Sequence, residues 1–281
     1  MSRMLTISCL QTSPRPTFRD ASIEAIALAE KAMEKNPALI CLPEYCGGLV
    51  SNKGRFTPPH EVEEKHPVLL SLKHFAKVNK VWIIVGSIAI TGHGGKFFNR
   101  TLLLDSNGEV KCRYDKIHLF DIDLADNFHS FQESATVQSG ERVSLAETPF
   151  GKLGFSVCYD LRFAHIYREM SKNGAEILMV PSAFTKKTGE AHWHVLNRAR
   201  AIENGAFVIS PCACGPIEGG GESYGHSLVV DPWGEILADG GVGSGVVTCQ
   251  IEMDKVQETR NKIPSLRHDR DYDLRIIDAS Q

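Results

Sequence analysis

Leu102-Leu103-Leu104-Asp105-Ser106-Asn107-Gly108-Glu109-Val110 is matched later in the chain by Leu228-Val229-Val230-Asp231-Pro232-Trp233-Gly234-Glu235-Ile236. Each stretch is an apolar run, an aspartate, two further residues, then Gly-Glu and a return to apolar character, which predicts a hairpin turning at Asn107-Gly108 and at Trp233-Gly234. Working outward, Leu39-Ile40-Cys41-Leu42-Pro43 resembles Leu178-Met179-Val180-Pro181, and each is followed by a loop, a helical pattern and another strand, Val81 to Val85 and Ala206 to Ser210. The chain therefore divides into two β-α-β-α-β-β halves. Each half makes a sheet with helices on one face; the two remaining apolar faces can bury each other, giving an α/β fold of the four-layer α-β-β-α sandwich type.

Strand-like runs span Leu5 to Leu10, Ala38 to Leu42, Val81 to Ile90, Thr101 to Leu104, Leu153 to Val157, Ile177 to Val180, Phe207 to Ser210, Ser227 to Val230 and Gly245 to Ile251. Helical spacing marks Ala21 to Lys35, His60 to Asn79, Ala164 to Asn173 closed by Gly174, and Glu190 to Asn204 closed by Gly205. Residues 1–281 are expected to form one catalytic domain, with the tail from about 255 to 281 available for oligomer contacts.

The charge balance, 31 basic against 34 acidic residues, supplies no field to gather nucleic acid or anionic lipid, so a small-molecule substrate is expected. No run approaches the roughly 18 apolar residues of a membrane span, and the N-terminal residues read as a first strand rather than a leader. Eight cysteines are scattered through apolar segments without a disulfide framework, which suggests reduced thiols and a cytoplasmic location. Cys41/Cys46 and Cys212/Cys214 lack CxxC spacing, and His192 and His194 sit about 200° apart on a helix, so no metal or other cofactor is expected.

Cys158 ends the strand Leu153 to Val157, and the chain then runs through Tyr159 and Asp160 into a helix containing Arg162 to Asn173. A strand-to-helix junction with Asp160 as cap would place the thiol near free N–H groups, whereas the other seven cysteines read as buried hydrophobes. The proton manager of a thiol is commonly histidine, and His118, His165, His192 and His226 are candidates. Glu44 and Lys116 are alternatives, because each, like Cys158, follows directly on the carboxyl end of a strand, where α/β proteins gather functional groups.

Leu42-Pro43-Glu44, Tyr114-Asp115-Lys116-Ile117-His118 and Ser156-Val157-Cys158-Tyr159-Asp160-Leu161-Arg162-Phe163 together resemble the three signature blocks of the nitrilase superfamily of carbon–nitrogen hydrolases. The resemblance extends through Pro181 to Phe184, Ala191-His192-Trp193, Arg198 to Glu203 and Tyr224 to Ser227. It implies the same αββα sandwich and a Glu44-Lys116-Cys158 triad, with Glu133 as a further glutamate that positions Lys116 or substrate; without the resemblance, Glu133 is a solvated loop acid. In the reaction implied, Cys158 attacks the carbonyl carbon, the Lys116 ammonium and the Tyr159 N–H hold the oxyanion, and Glu44 shuttles protons through a thioester.

Arg162 can clamp a substrate carboxylate or form a structural ion pair, and Phe184 and Thr185 occupy in the second half the place of Glu44 and Tyr45 in the first, as pocket walls. Lys116 to Asp123 and Ala191 to Trp193 are similar to the branch of omega-amidases and deaminated-glutathione amidases, which implies release of acid and ammonia from a carboxylate-bearing amide. The polar loop Phe120 to Phe131 matches no single specificity. Carbamoyl or nitrile hydrolysis, thioester-based acyl transfer and a partner-binding scaffold without chemistry remain the alternatives, and a homodimer is expected.

Overall fold

The computed structural model describes residues 2–52, 55–123 and 130–280. The first half runs β1 (Met4–Gln11), α1 (Phe18–Met33), β2 (Leu39–Cys41), α2 (Pro67–Asn79), β3 (Trp82–Thr91), β4 (Phe97–Leu104) and β5 (Val110–Asp115). An edge strand β6 (Val137–Gln138) follows, and the second half runs β7 (Leu145–Thr148), β8 (Gly151–Phe155), α3 (Ala164–Lys172), β9 (Ile177–Met179), α4 (Lys186–Asn204), β10 (Phe207–Ser210), β11 (Leu228–Val230) and β12 (Ile236–Asp239). The chain closes with β13 (Gly245–Glu252) and α5 (Asp254–Lys262).

Sheet order makes the repeat visible. In the first sheet β4, β3, β2 and β1 lie side by side, with β13 antiparallel on β1; in the second β11, β10, β9 and β8 do the same, with β7 antiparallel on β8. Pairing follows suit: Leu39, Ile40 and Cys41 oppose Trp82, Ile83 and Ile84, as Ile177, Leu178 and Met179 oppose Phe207, Val208 and Ile209. The two hairpins share their turn. Asp105 Oδ1 accepts from the N–H groups of Asn107 and Glu109, and Asp231 Oδ1 from those of Trp233 and Glu235, all at 2.9 Å. Gly108 and Gly234 take φ of 75° and 87°, a left-handed conformation in which a side chain is strained.

Side chains alternate across the first sheet as period-two geometry requires. Ile7, Cys9, Leu39, Cys41, Ile84 and Leu103 join the cluster that includes the second sheet and α3 and α4. Their neighbours Leu10, Ile40, Leu42, Ile83 and Val85 pack with the alanine stripe of α1 and the apolar face of α2. The α-β-β-α layering follows.

All nine expected strands form, and the last of them, β13, crosses back to pair with β1 in the first sheet. Helix boundaries differ more. The expected helix over His60 to Asn79 begins only at Pro67, because proline bars the helical conformation for the residue before it; a separate 3-10 turn covers Glu63–Lys65. The helix expected from Glu190 starts earlier, at Lys186. Arg162 to Asn173 is not one helix: Cys158–Arg162 is a 3-10 turn, Phe163 breaks it, and α3 begins at Ala164.

His66, fully buried, caps α2 with its Nδ1 accepting from Leu69 N–H at 3.4 Å, which requires a neutral ring. Burial pushes its pKa down from 6.5 to about 4. The unfolded chain therefore binds this proton more readily, and stability is lost as pH falls from 6.5 towards 4, by about 3 kcal/mol at the limit. His66→Asn keeps a capping acceptor and is expected to flatten this acid limb in urea unfolding midpoints measured between pH 7 and 4; an unchanged limb would assign the acid loss elsewhere.

Candidate active site

Three loops at the carboxyl ends of β2, β5 and β8 deliver Glu44, Lys116 and Cys158 to one narrow pocket. Gly86 makes the first approach possible: a Cβ there would lie 1.8 Å from the Leu42 carbonyl, so its absence lets the Leu42-Pro43-Glu44 backbone cross β3 closely. Pseudo-symmetry brings in the partner loop, as the Ala183 N–H after β9 donates to Glu44 Oε2 at 2.8 Å.

Lys116 is almost wholly buried, with Nζ 2.9 Å from Glu44 Oε1 and 2.9 Å from Glu133 Oε2. Burial alone would push its pKa down, but Glu133, Glu44 and Cys158 outweigh that, and the ammonium is held well above its ordinary range. Two carboxylates near one lysine keep it charged.

Glu133 is buried, which rules out a solvated loop acid. Its oxygens accept from Lys116 Nζ, Asn99 Nδ2 (3.3 Å), Tyr45 Oη (3.1 Å) and Phe120 N–H (2.6 Å). Such saturation suits a group that holds its neighbours in place. Glu44 differs: besides accepting from Lys116, Asn99 (2.9 Å) and Ala183 N–H, it faces the same pocket as the Cys158 thiol. Burial pushes that thiol well above its usual range, Glu44 adds to the rise and Lys116 opposes it, so the resting sulfur carries its proton. Cys158 opens a 3-10 turn and not an α-helix, so the helix N-terminus expected beside the thiol does not form.

Cys158 itself has φ of 48°, left-handed for a residue with a side chain, a conformation that costs on the order of 1–3 kcal/mol and persists only where the surroundings enforce it. Here Cys158 N–H donates to Pro181 O at 3.0 Å, and Asp160 clamps the turn. Asp160 does not cap α3, as expected from the sequence, but its own turn: Oδ2 accepts from Val157 N–H (2.8 Å) and Tyr114 Oη (2.6 Å), while Oδ1 accepts from His118 N–H (3.0 Å) and faces His118 Nδ1 (2.7 Å). Tyr114 and His118 flank Lys116, so one buried carboxylate ties the lysine strand to the Cys158 turn. His118 is thereby engaged by Asp160, His192 by Arg162 and His226 by Asp239, while His165 packs edge-on against the His118 and Phe163 rings; none of the four lines the pocket.

Tyr159, Phe184 and Thr185 line the pocket, together with Phe56, Phe120 and Thr188. Arg162 does not line it; the guanidinium lies behind Tyr159 and Phe184, 5.8 and 5.6 Å from their ring centres, and within 3.3 Å of His192 Nδ1. Trp193 packs against Phe184 at 4.9 Å. Asn99 and Tyr45 are absent from the candidates that sequence reasoning names, and Asp160 enters there only as a helix cap; Tyr45, adjacent to the first signature block, and Asp160, within the third, carry a signal, whereas Asn99 carries none. A wider opening, lined by Phe131, Ile217 and the charged Lys186, Glu190 and Glu222, adjoins the pocket at Thr185. The polar loop Phe120 to Phe131 includes residues 124–129, which lie outside the described residues. Among the described residues no helix is long and apolar enough to cross a membrane.

A family model for carbon–nitrogen hydrolases matches residues 6–261. The chain is 37% identical over 268 residues to the deaminated glutathione amidase of Synechocystis sp., covering 93% of this chain and 96% of that one. It is 32% identical to omega-amidase NIT2 of Xenopus tropicalis, covering 98% of each. Among solved structures it superposes on the C. elegans NitFhit protein with a TM-score of 0.84 at 29% identity, covering 95% of this chain and 65% of that one. A Nesterenkonia sp. AN1 amidase variant matches with a TM-score of 0.74 at 25% identity, covering 94% and 96%, and shows covalent addition of the acetamide moiety of fluoroacetamide at its active-site cysteine. By fold and by sequence over nearly its whole length, the chain belongs to the carbon–nitrogen hydrolase family and is a hydrolase of carbon–nitrogen bonds other than peptide bonds.

Proposed function

We propose that the protein is an amidase that hydrolyses small, carboxylate-bearing amides through Cys158, with Glu44 as proton shuttle and Lys116 as oxyanion partner. The observation that carries this reading is the buried Glu44-Lys116-Glu133 cluster, whose Glu44 and Lys116 line one pocket with Cys158. Because the Cys158 thiol is protonated at rest, its proton passes to the Glu44 carboxylate as sulfur attacks the carbonyl carbon. The oxyanion then faces the Lys116 ammonium and the Tyr159 N–H. Collapse breaks the carbon–nitrogen bond, the amine leaves with the proton from Glu44, and Glu44 next deprotonates the water that hydrolyses the thioester. Glu133 acts as a positioning residue for Lys116.

The names of the relatives support 2-oxo-acid omega-amides or deaminated glutathione as substrate. Ammonia is the leaving group only for a primary amide; a substituted amide releases its amine half. The narrow aromatic pocket suits the acyl part, and the wider opening beside Thr185 leaves room for a larger leaving group. Arg162 does not touch substrate and acts as a positioning residue that stiffens Tyr159 and Phe184. Water is the acyl acceptor, in preference to amines or alcohols, and the machinery is intact, unlike that of a scaffold. We further propose that residues 1–281 act as one catalytic unit in a cytoplasmic homodimer. The tail supports that reading, since Tyr272, Leu274 and Ile276 alternate along it and are 84% to 89% exposed.

The test is a panel of alpha-keto amides, deaminated glutathione, asparagine and glutamine, carbamoyl amino acids and simple nitriles, assayed for acid together with ammonia or amine. Catalytic efficiency is expected to be highest, by at least about tenfold, for one of the first two classes. Preference for carbamoyl compounds or nitriles would overturn the substrate class, and products formed only when amine or alcohol is added would make the protein an acyltransferase.

A further inference from the structure

His192 and His194 point to opposite sides of α4, and the structure gives His194 partners that are distant in sequence. His194 Nε2 lies 3.0 Å from Asp239 Oδ2, and His226 Nδ1 lies 2.9 Å from Oδ1 and 3.1 Å from Oδ2 of the same carboxylate. One ligand-competent atom from each of the three lies within 4.8 Å of the others, and among the described residues no other trio of histidine, cysteine and acidic side chains converges so closely. We propose that His194, His226 and Asp239 form a binding site for one divalent transition-metal ion of the zinc class, separate from the catalytic pocket.

The donor set is two imidazole nitrogens and a carboxylate oxygen, which borderline ions such as zinc prefer. Ligands at about 2.0–2.1 Å around a tetrahedral ion stand roughly 3.3–3.4 Å apart. The present nitrogen-to-oxygen separations fall a few tenths of an ångström short of that, so small side-chain rotations admit the ion. A carboxylate only accepts, so each imidazole nitrogen facing Asp239 now donates to it; to bind the ion that nitrogen must give up its proton and present its lone pair. The three side chains are 31%, 21% and 33% exposed, which leaves the fourth position open to water.

Several contacts hold the ligands in this arrangement before any ion arrives. His226 adopts φ of 54°, a strained left-handed backbone, fixed by Trp193 Nε1–H donating to its carbonyl at 2.7 Å and by its own N–H bonded to Gly241 O at 2.6 Å. Tyr224 stacks on the His226 ring at 4.5 Å, and Gly241 N–H donates to Asp239 Oδ1 at 2.9 Å, the outer support that metal-binding carboxylates characteristically have. The ligands come from α4, the loop before β11 and the end of β12, so an ion would pin three segments together.

Cobalt(II) alone, titrated into the chelator-stripped full-length protein, provides the test. One equivalent is expected to bind, with visible d–d bands of a nitrogen/oxygen site, no thiolate-to-cobalt charge-transfer band, and a Tm raised by roughly several degrees. His194→Gln and Asp239→Asn, both at half-exposed positions, should each lose the bands and the Tm rise while keeping wild-type circular dichroism, whereas Cys158→Ala should retain both. No saturable uptake, a thiolate band, or cobalt retained by both site variants would overturn the proposal and leave the trio as a hydrogen-bonded His-Asp-His cluster.

Discussion

Cys158→Ala is expected to lower kcat/KM for the best amide substrate by at least about 10⁴-fold, because the bond-forming atom is lost and the oxyanion and binding groups alone retain only a small residue of catalysis. Stability should change little. The variant keeps the left-handed φ at position 158, the Pro181 hydrogen bond and the Asp160 clamp, and loses one buried sulfur. A cost of about 1 kcal/mol, or a Tm shift of roughly 2–4 °C, is the expected ceiling. Cys158→Ser should be nearly as inactive, since a hydroxyl in the same desolvated place beside Glu44 is harder still to deprotonate. Initial rates of acid and amine release from purified protein decide it. Activity within tenfold of wild type in the alanine variant would remove Cys158 from the chemistry, whatever the pocket holds.

How the chain announces these features depends on their range. The doubled hairpin was legible because its determinants are local: an aspartate accepting from the next N–H groups and a glycine free to take positive φ act within a few residues, so both copies repeat the same sequence. Glu44, Lys116 and Cys158 were legible for a related reason, each following directly on a strand end. The destination of β13 was not. Nothing within Gly245–Glu252 distinguishes the edge of the first sheet from that of the second; the free flank of β1 decides, and it lies more than two hundred residues away.

Polar clusters follow the same rule. Asn99 sits mid-strand in Phe97–Leu104 with no motif around it, and only the folded arrangement brings its amide to both Glu44 and Glu133. Asp160 looked like a helix cap because strand, aspartate and apolar helix succeed one another in sequence. Its bonds to Tyr114 and His118 come from the other half of the molecule. The histidine trio was hidden likewise, with His194 read against its helical neighbour rather than against two loops.

The second large effect concerns Lys116, where stability and catalysis separate cleanly. Lys116→Met removes the one ammonium lying between the buried Glu44 and Glu133, and breaking a buried ion pair from one side costs about 3–5 kcal/mol, so a fall in Tm of roughly 10 °C is expected. The two carboxylates then face each other without compensation, and one must take up a proton, its pKa rising above the unfolded value near 4.3. A group raised in the folded state stabilises below its unfolded pKa and loses that contribution as pH rises through the folded one. The variant should therefore become progressively less stable from about pH 5 upward, a slope that wild type, with its lysine charged throughout this range, lacks. Adding Glu133→Gln to Lys116→Met removes one of the opposed charges and is expected to restore several kcal/mol and flatten the slope, yet leave hydrolysis at least about 10³-fold down because the oxyanion still has no cation. Urea unfolding across pH, paired with rate measurements on both variants, reads the two effects independently. A single variant within 1 kcal/mol of wild type would show that the cluster bears no strong buried pairing, and a double variant recovering activity together with stability would show that Lys116 serves the fold and not the reaction.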